Sequence, residues 1–216
     1  MYLSLLALAL GFKHAYDADH LLAVSNFLIK SPNMTSTVFM GLSWALGHMI
    51  TAGLLIMLLE ITLLDVIVSF FGYFEIAVGL MLIFLGGLSI AWETKSFHTH
   101  KHEHENTTHT HSHVHVLNHE RHLHPHLFTA GIIQGLASND EILTLIVISL
   151  GVITLPEMFL NLGIFTTGVA LGMLTFGFTM SYPVMRFGIR RVKKVIGITV
   201  GSVSILYGLL LIIGLV

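Results

Sequence analysis

Apolar residues fall in six long stretches, about 2–29, 35–59, 66–92, 128–153, 157–185 and 192–216, divided by four short polar interruptions and one long one. Crossing a hydrocarbon core about 30 Å thick takes roughly 20 helical residues, and each stretch is long enough. None alternates with the period of two that a barrel strand requires. The pattern predicts an all-α, polytopic membrane protein with six transmembrane helices. The first stretch does not read as a cleavable signal: it has no basic lead and no small-residue cleavage site, and ionisable groups stand at its middle.

Composition agrees. Of 216 residues, 54% are hydrophobic and only 10% charged, against about a quarter charged in an ordinary soluble domain. The absence of cysteine removes disulfides, thiolate metal sites and thiol nucleophiles. A net charge of -2 argues against nucleic acid, which needs a clustered basic surface.

The basic residues are one-sided. Lys30 lies in the first loop, Lys95, Lys101 and Arg121 in the third, and Arg186, Arg190, Arg191, Lys193 and Lys194 in the fifth. Only Lys13, inside the first stretch, is left over from the ten. By the positive-inside rule these loops face the cytoplasm, so both termini face outward and the chain sits in the cytoplasmic membrane as a multi-pass protein.

A weak internal repeat runs through the chain. Gly79 and Gly86 are matched by Gly201 and Gly208 at an offset of 122, Ala45-Leu46-Gly47 by Ala170-Leu171-Gly172, and Asp19-His20-Leu21-Leu22 by Asp140-Glu141-Ile142-Leu143. Three helices per unit is odd, so the second unit enters the membrane from the opposite face. The expectation is two inverted three-helix repeats, residues 1–93 and 127–216, an arrangement common in transporters, whose substrate site lies near the midplane. Between them, residues 94–126 hold all but three of the 15 histidines and few apolar residues. That composition cannot build a core, and it predicts a cytoplasmic, disordered linker.

The centre of the first stretch reads Gly11-Phe12-Lys13-His14-Ala15-Tyr16-Asp17-Ala18-Asp19-His20. A charge at the bilayer centre costs about 2.5–3.5 kcal/mol on insertion scales, so this cluster is a functional candidate by default. At about 100° per residue, His14, Asp17 and His20 share one side of a continuous helix. Asp19 points elsewhere, to orient an imidazole through its second ring nitrogen or to bind directly if the helix unwinds near Gly11. Imidazole with carboxylate suits first-row divalent ions, whereas calcium and magnesium prefer oxygen alone. The alternative is a buried ion pair of Lys13 or the histidines with the aspartates, holding helices together and carrying nothing.

Other candidates follow. His48, beside Gly47 in the second stretch, is a further ligand or a hydrogen-bonded packing residue. Ser138, Asn139, Asp140 and Glu141 occupy the matching place in the second unit. Their carboxylates form the other wall of an ion path or take up a coupling proton, or else Asp140 and Glu141 neutralise Lys13 or cap a broken helix. In the linker, His98, His100, His102 and His104, then His109, His111, His113 and His115, alternate with other residues. Such flexible imidazoles suit collecting or buffering a metal, or the segment is a solvated hinge.

On these residues the chain resembles the nickel/cobalt transporter (NiCoT) family. His14-Ala15-Tyr16-Asp17-Ala18-Asp19-His20 fits the family signature of His, four residues, Asp, His, and Leu46-Gly47-His48 is similar to a second motif. This chain carries Met49 where the family usually has Ser, and Ala137 where a third motif has Asp. The resemblance implies a permease in which His14, Asp19, His20 and Asp17 recognise Ni(II) or Co(II) as transported substrate, with no cofactor and no enzymatic activity. Family importers often carry this motif in the second of eight helices; here it is in the first, running in the same direction.

The expectation is therefore uptake of nickel or cobalt across the cytoplasmic membrane. Its alternatives are efflux fed by the His-rich loop, a membrane metalloenzyme, or a metal sensor that binds without translocating. The His-Glu-x-x-His of an intramembrane metalloprotease is absent.

Overall fold

The computed structural model describes residues 2–31, 33–60, 64–95, 100–104, 107–111, 123–137, 154–187 and 190–214. In it the first apolar stretch is not one helix but two. Helix α1 spans Tyr2–His14 and α2 spans Ala18–Leu28, each too short to cross a bilayer alone. They are followed by α3 (Met34–Glu60), α4 (Leu64–Lys95), α5 (Leu123–Ala137), α6 (Leu155–Phe187) and α7 (Arg190–Ile212). Four of the described helices are long and apolar enough to cross a membrane: α3, α4, α6 and α7. The fourth predicted stretch is described only as far as Ala137, so its remainder to 153 lies outside the described residues.

The His-rich segment, expected to be a disordered linker, contains a short antiparallel hairpin of β1 (His100–His104) and β2 (Thr107–His111). Its register sets His100 opposite His111 and His102 opposite His109. Alternation of histidine with other residues has the period of a strand, and the threonines of β2 favour extended backbone.

The helices associate as three close pairs: α1 with α6, α3 with α5, and α4 with α7. Glycine permits each approach. A methyl group at Gly131 would overlap the Trp44 carbonyl oxygen, and one at Gly47 would overlap that of Phe128, so α3 and α5 touch backbone to backbone. Gly11 meets Phe165 and Gly168 meets Leu8 between α1 and α6 in the same way, while Gly79 meets Gly208 and Gly86 meets Gly201 between α4 and α7. Small residues at contacts are how helices approach closely in lipid, where apolar burial offers little drive.

Trp44, Phe165, Met40, Leu127, Val169 and Met173 form the main core between the first two pairs. Ala23 of α2 packs with Val78 and Leu82 of α4 in a second cluster, with Tyr207 and Leu211 of α7 against it. Polar ties cross the bundle: the Asn26 amide donates to Ser204 Oγ at 2.8 Å, and the Thr37 hydroxyl lies 3.2 Å from Ser181 Oγ. The outward faces are apolar, with Leu5, Phe39, Leu54, Leu80, Phe84 and Leu206 all exposed. In water such a surface would be a liability; in a bilayer it is the expected face. The exposed hydroxyls of Thr167, Thr175 and Thr179 each donate to the carbonyl four residues earlier, which spares lipid an unpaired polar group.

At the polar ends the chain is capped conventionally. The Thr154 backbone N–H donates to Glu157 Oε2 at 2.7 Å, closing the start of α6. Beyond α2, the Lys30 ammonium stands 5.0 Å from the Trp92 ring centroid. Burial pulls its pKa below the ordinary lysine value, and Glu93 opposes that shift.

Candidate metal centre

The break between α1 and α2 builds the centre of the bundle. After His14 the backbone tightens, with Tyr16 N–H bonded to the Lys13 carbonyl at 2.9 Å and Asp17 N–H to that of His14 at 3.0 Å. Asp17 then turns extended, at φ -64° and ψ 143°, and α2 starts. An aspartate is a preferred N-cap, and such a cap is worth about 1 kcal/mol. The Asp17 side chain makes no capping bond; its Oδ2 lies instead 2.8 Å from His14 Nδ1. Its other oxygen is 3.5 Å from Lys13 Nζ.

This break lies four residues beyond Gly11, where unwinding was anticipated, and it changes which groups meet. In a continuous helix His14 and His20 would stand about 9 Å apart along the axis. Here their ring centroids are 4.6 Å apart. His48, from α3, completes the group at 5.2 Å from His14 and 5.4 Å from His20. One nitrogen from each of the three imidazoles lies within 4.8 Å of the others, and all three residues are buried, at 2% exposure. His14 Nε2 and His48 Nε2 are 3.2 Å apart. Nitrogens arranged tetrahedrally at roughly 2.0–2.1 Å from zinc would stand about 3.3 Å apart. That spacing fits two ligands of one ion, with a small inward movement needed to bring in the third.

The two aspartates act on the imidazoles' far nitrogens. Asp19 Oδ1 accepts from His20 Nδ1 at 2.8 Å, as Asp17 approaches His14 Nδ1. Negative charge beside Nδ1 favours the proton there and leaves Nε2 with its lone pair inward, the arrangement by which carboxylates orient metal-binding histidines. His20 Nε2 is buried without a hydrogen-bond partner, a loss of about 1–3 kcal/mol in a dry site. With His14 Nε2 an acceptor, the proton between it and His48 belongs to His48, and a cation bound there would displace it. Two carboxylates would also balance a double positive charge, lessening the penalty of taking it out of water.

Trp44, Gln134 and Phe165 enclose the group, though sequence patterns single out none of them. The Trp44 ring lies 5.0 Å from that of His20 and 5.2 Å from that of His48, and Phe165 lies 5.6 Å from His14. Trp44 Nε1–H donates to Gln134 Oε1 at 2.7 Å, and the Gln134 amide donates to Asp19 Oδ2 at 3.2 Å. One signal was available for Gln134: it is a lone amide within the apolar run Ala130-Gly131-Ile132-Ile133-Gln134.

Of the candidates read from sequence, His14, His20 and His48 meet, with Asp17 and Asp19 behind the first two. Ser138, Asn139, Asp140 and Glu141 lie outside the described residues, as do His98, His113 and His115. His100, His102, His104, His109 and His111 belong to the hairpin. No family model, curated protein or solved structure matches this chain.

Proposed function

We propose that the chain is a multi-pass permease that carries a first-row divalent cation, Ni(II) or Co(II), across the cytoplasmic membrane toward the cell interior. The observation that carries this reading is the meeting of three buried imidazoles at a break between two half-length helices, inside a bundle with an apolar exterior. Nitrogen donors select against magnesium and calcium. A helix broken at midmembrane is a recurrent device for exposing ligands to a substrate path.

In this proposal six apolar segments form two inverted three-helix repeats, and the packing supports it. Exchange of the halves turns the contact of Gly11 with Phe165 into that of Gly131 with Trp44, and Leu8 with Gly168 into Phe128 with Gly47. The Gly79–Gly208 contact becomes Gly201–Gly86. The one-sided basic residues then put the His-rich segment in the cytoplasm and both termini outside. The ion sheds water onto His14, His20 and His48, the α1–α6 pair rocks against the α3–α5 pair, and the site opens to the other side. Asp140 and Glu141 belong to the second wall of that path, and the loop histidines gather the ion on the cytoplasmic side.

Direction-resolved flux of radioactive nickel and cobalt in sealed proteoliposomes tests the proposal. Saturable inward movement supports it and outward movement alone makes the chain an exporter. Tight binding without flux makes it a sensor.

A further inference from the structure

Gln134 lies in the second half of the chain, yet it reaches the ligand set of the first. The exchange that maps Gly11 onto Gly131 and Phe165 onto Trp44 puts Gln134, three residues past Gly131, in the place of His14, three residues past Gly11. His14 stands by Phe165, and Gln134 is bonded to Trp44. The second half thus has an amide where the first has an imidazole. Gln134 is fully buried. Its oxygen accepts from the Trp44 indole, which fixes the direction of the side chain and turns its amide nitrogen toward Asp19 Oδ2. The other oxygen of Asp19 holds His20 Nδ1, and His20 Nε2 faces the cluster unpartnered.

We infer that Gln134 is a positioning residue for metal binding: through Asp19 it sets the orientation of His20, and so ties the geometry of the site to the position of α5. Its donated hydrogen bond orients the carboxylate and does not touch the ion. Among the hydrogen bonds described around the site, Gln134 to Asp19 links α5 to the α2 ligands, so displacement of α5 against α2 loosens His20. This rests on the metal-binding reading given above, and the test separates the two.

The probe is Co(II), titrated into the purified full chain in detergent. A Trp92→Phe background leaves Trp44 as the single fluorophore of the 2 tryptophans, beside His20 and His48 where a paramagnetic ion quenches it. The visible absorption of Co(II) reports its ligand geometry. Loss of partners behind metal-binding histidines lowers affinity about 10–100-fold. Gln134→Met, close in size but without donors, is expected to weaken Co(II) binding about tenfold and to shift the absorption bands. In an Asp19→Asn background the same substitution is expected to add less than about twofold, because the two act in series. Trp44→Phe, read by absorption, removes the N–H that holds Gln134 together with the pyrrole ring beside His20 and His48; it is expected to shift the bands in the same direction, and unshifted bands count against the inference if Gln134→Met does not fold. Binding and bands unchanged by these substitutions, or full additivity with Asp19→Asn, would overturn the inference while leaving the metal site standing. Absence of Co(II) binding by the unsubstituted protein would instead bring down the metal reading and this inference with it.

Discussion

His14 and His48 are 34 residues apart in the chain, yet their Nε2 atoms stand 3.2 Å apart. One belongs to the last turn of a half-helix and the other to the middle of α3. Each is buried, and Asp17 Oδ2 lies 2.8 Å from the far nitrogen of His14. Replacing His14 with Ala is expected to abolish nickel and cobalt flux while leaving membrane insertion intact. His48→Ala is expected to weaken metal binding by at least about a hundredfold, beyond the range seen for partners behind a ligand. Transport assays with quantified membrane protein check both, and unchanged flux in His14→Ala would put recognition elsewhere.

The backbone contact of α3 with α5 holds Trp44, His48 and Gln134 in one unit. A methyl group at Gly131 has no room beside the Trp44 carbonyl, whereas one at Gly87 meets nothing within 4 Å. Gly131→Ala is therefore expected to destabilise the protein by about 1–3 kcal/mol. Gly87→Ala is expected to be neutral or to stabilise by up to about 1 kcal/mol through helix propensity. Thermal unfolding in detergent distinguishes them, and equal effects would argue against the close packing of these helices.

For the His-rich segment the expectation concerns concentration. Helix α5 begins at Leu123, so residues 98–122 can be exchanged for a Gly/Ser chain of equal length without entering it. The exchange is expected to leave the maximal transport rate intact and to change its dependence on metal concentration, since a tethered cluster acts by raising local ligand supply. Complete loss of transport in a correctly inserted variant would assign the segment an essential step.

Much of this architecture is legible in the chain because two signals are strong. Long apolar runs mark α3, α4, α6 and α7, and ionisable residues within an apolar stretch mark the site. The break at Ala15–Asp17 was not legible as such. Asp17 looks like one more residue on a helical face, yet it opens the second half-helix, and its carboxylate goes to His14, three residues earlier, in place of the cap. The helical projection thus placed Asp17 beside the two histidines but gave no hint that His14 and His20 would turn toward each other.

Under the proposed repeat, the helix contacts pair Gly47 with Gly168, four residues before the Gly172 of the Ala-Leu-Gly match. Four residues is about one helical turn, and small residues recur on the same face at that spacing, so sequence alone cannot separate the two alignments. The same ambiguity hid Gln134. The charged pair Asp140 and Glu141 is the conspicuous signal in this region, while the position that the proposed repeat pairs with His14 holds an uncharged amide whose importance rests on Trp44 and Asp19, from two other helices.

X-ray absorption at the metal edge of the protein loaded with Co(II) or Ni(II) tests the central claim most directly. Three imidazoles are expected around one ion, at roughly the 2.0–2.1 Å of zinc–imidazole bonds, falling to two when His48 is replaced by Ala. A bound ion without histidine scattering, or a coordination shell identical in the unsubstituted protein and in His14→Ala, His20→Ala and His48→Ala, would contradict it.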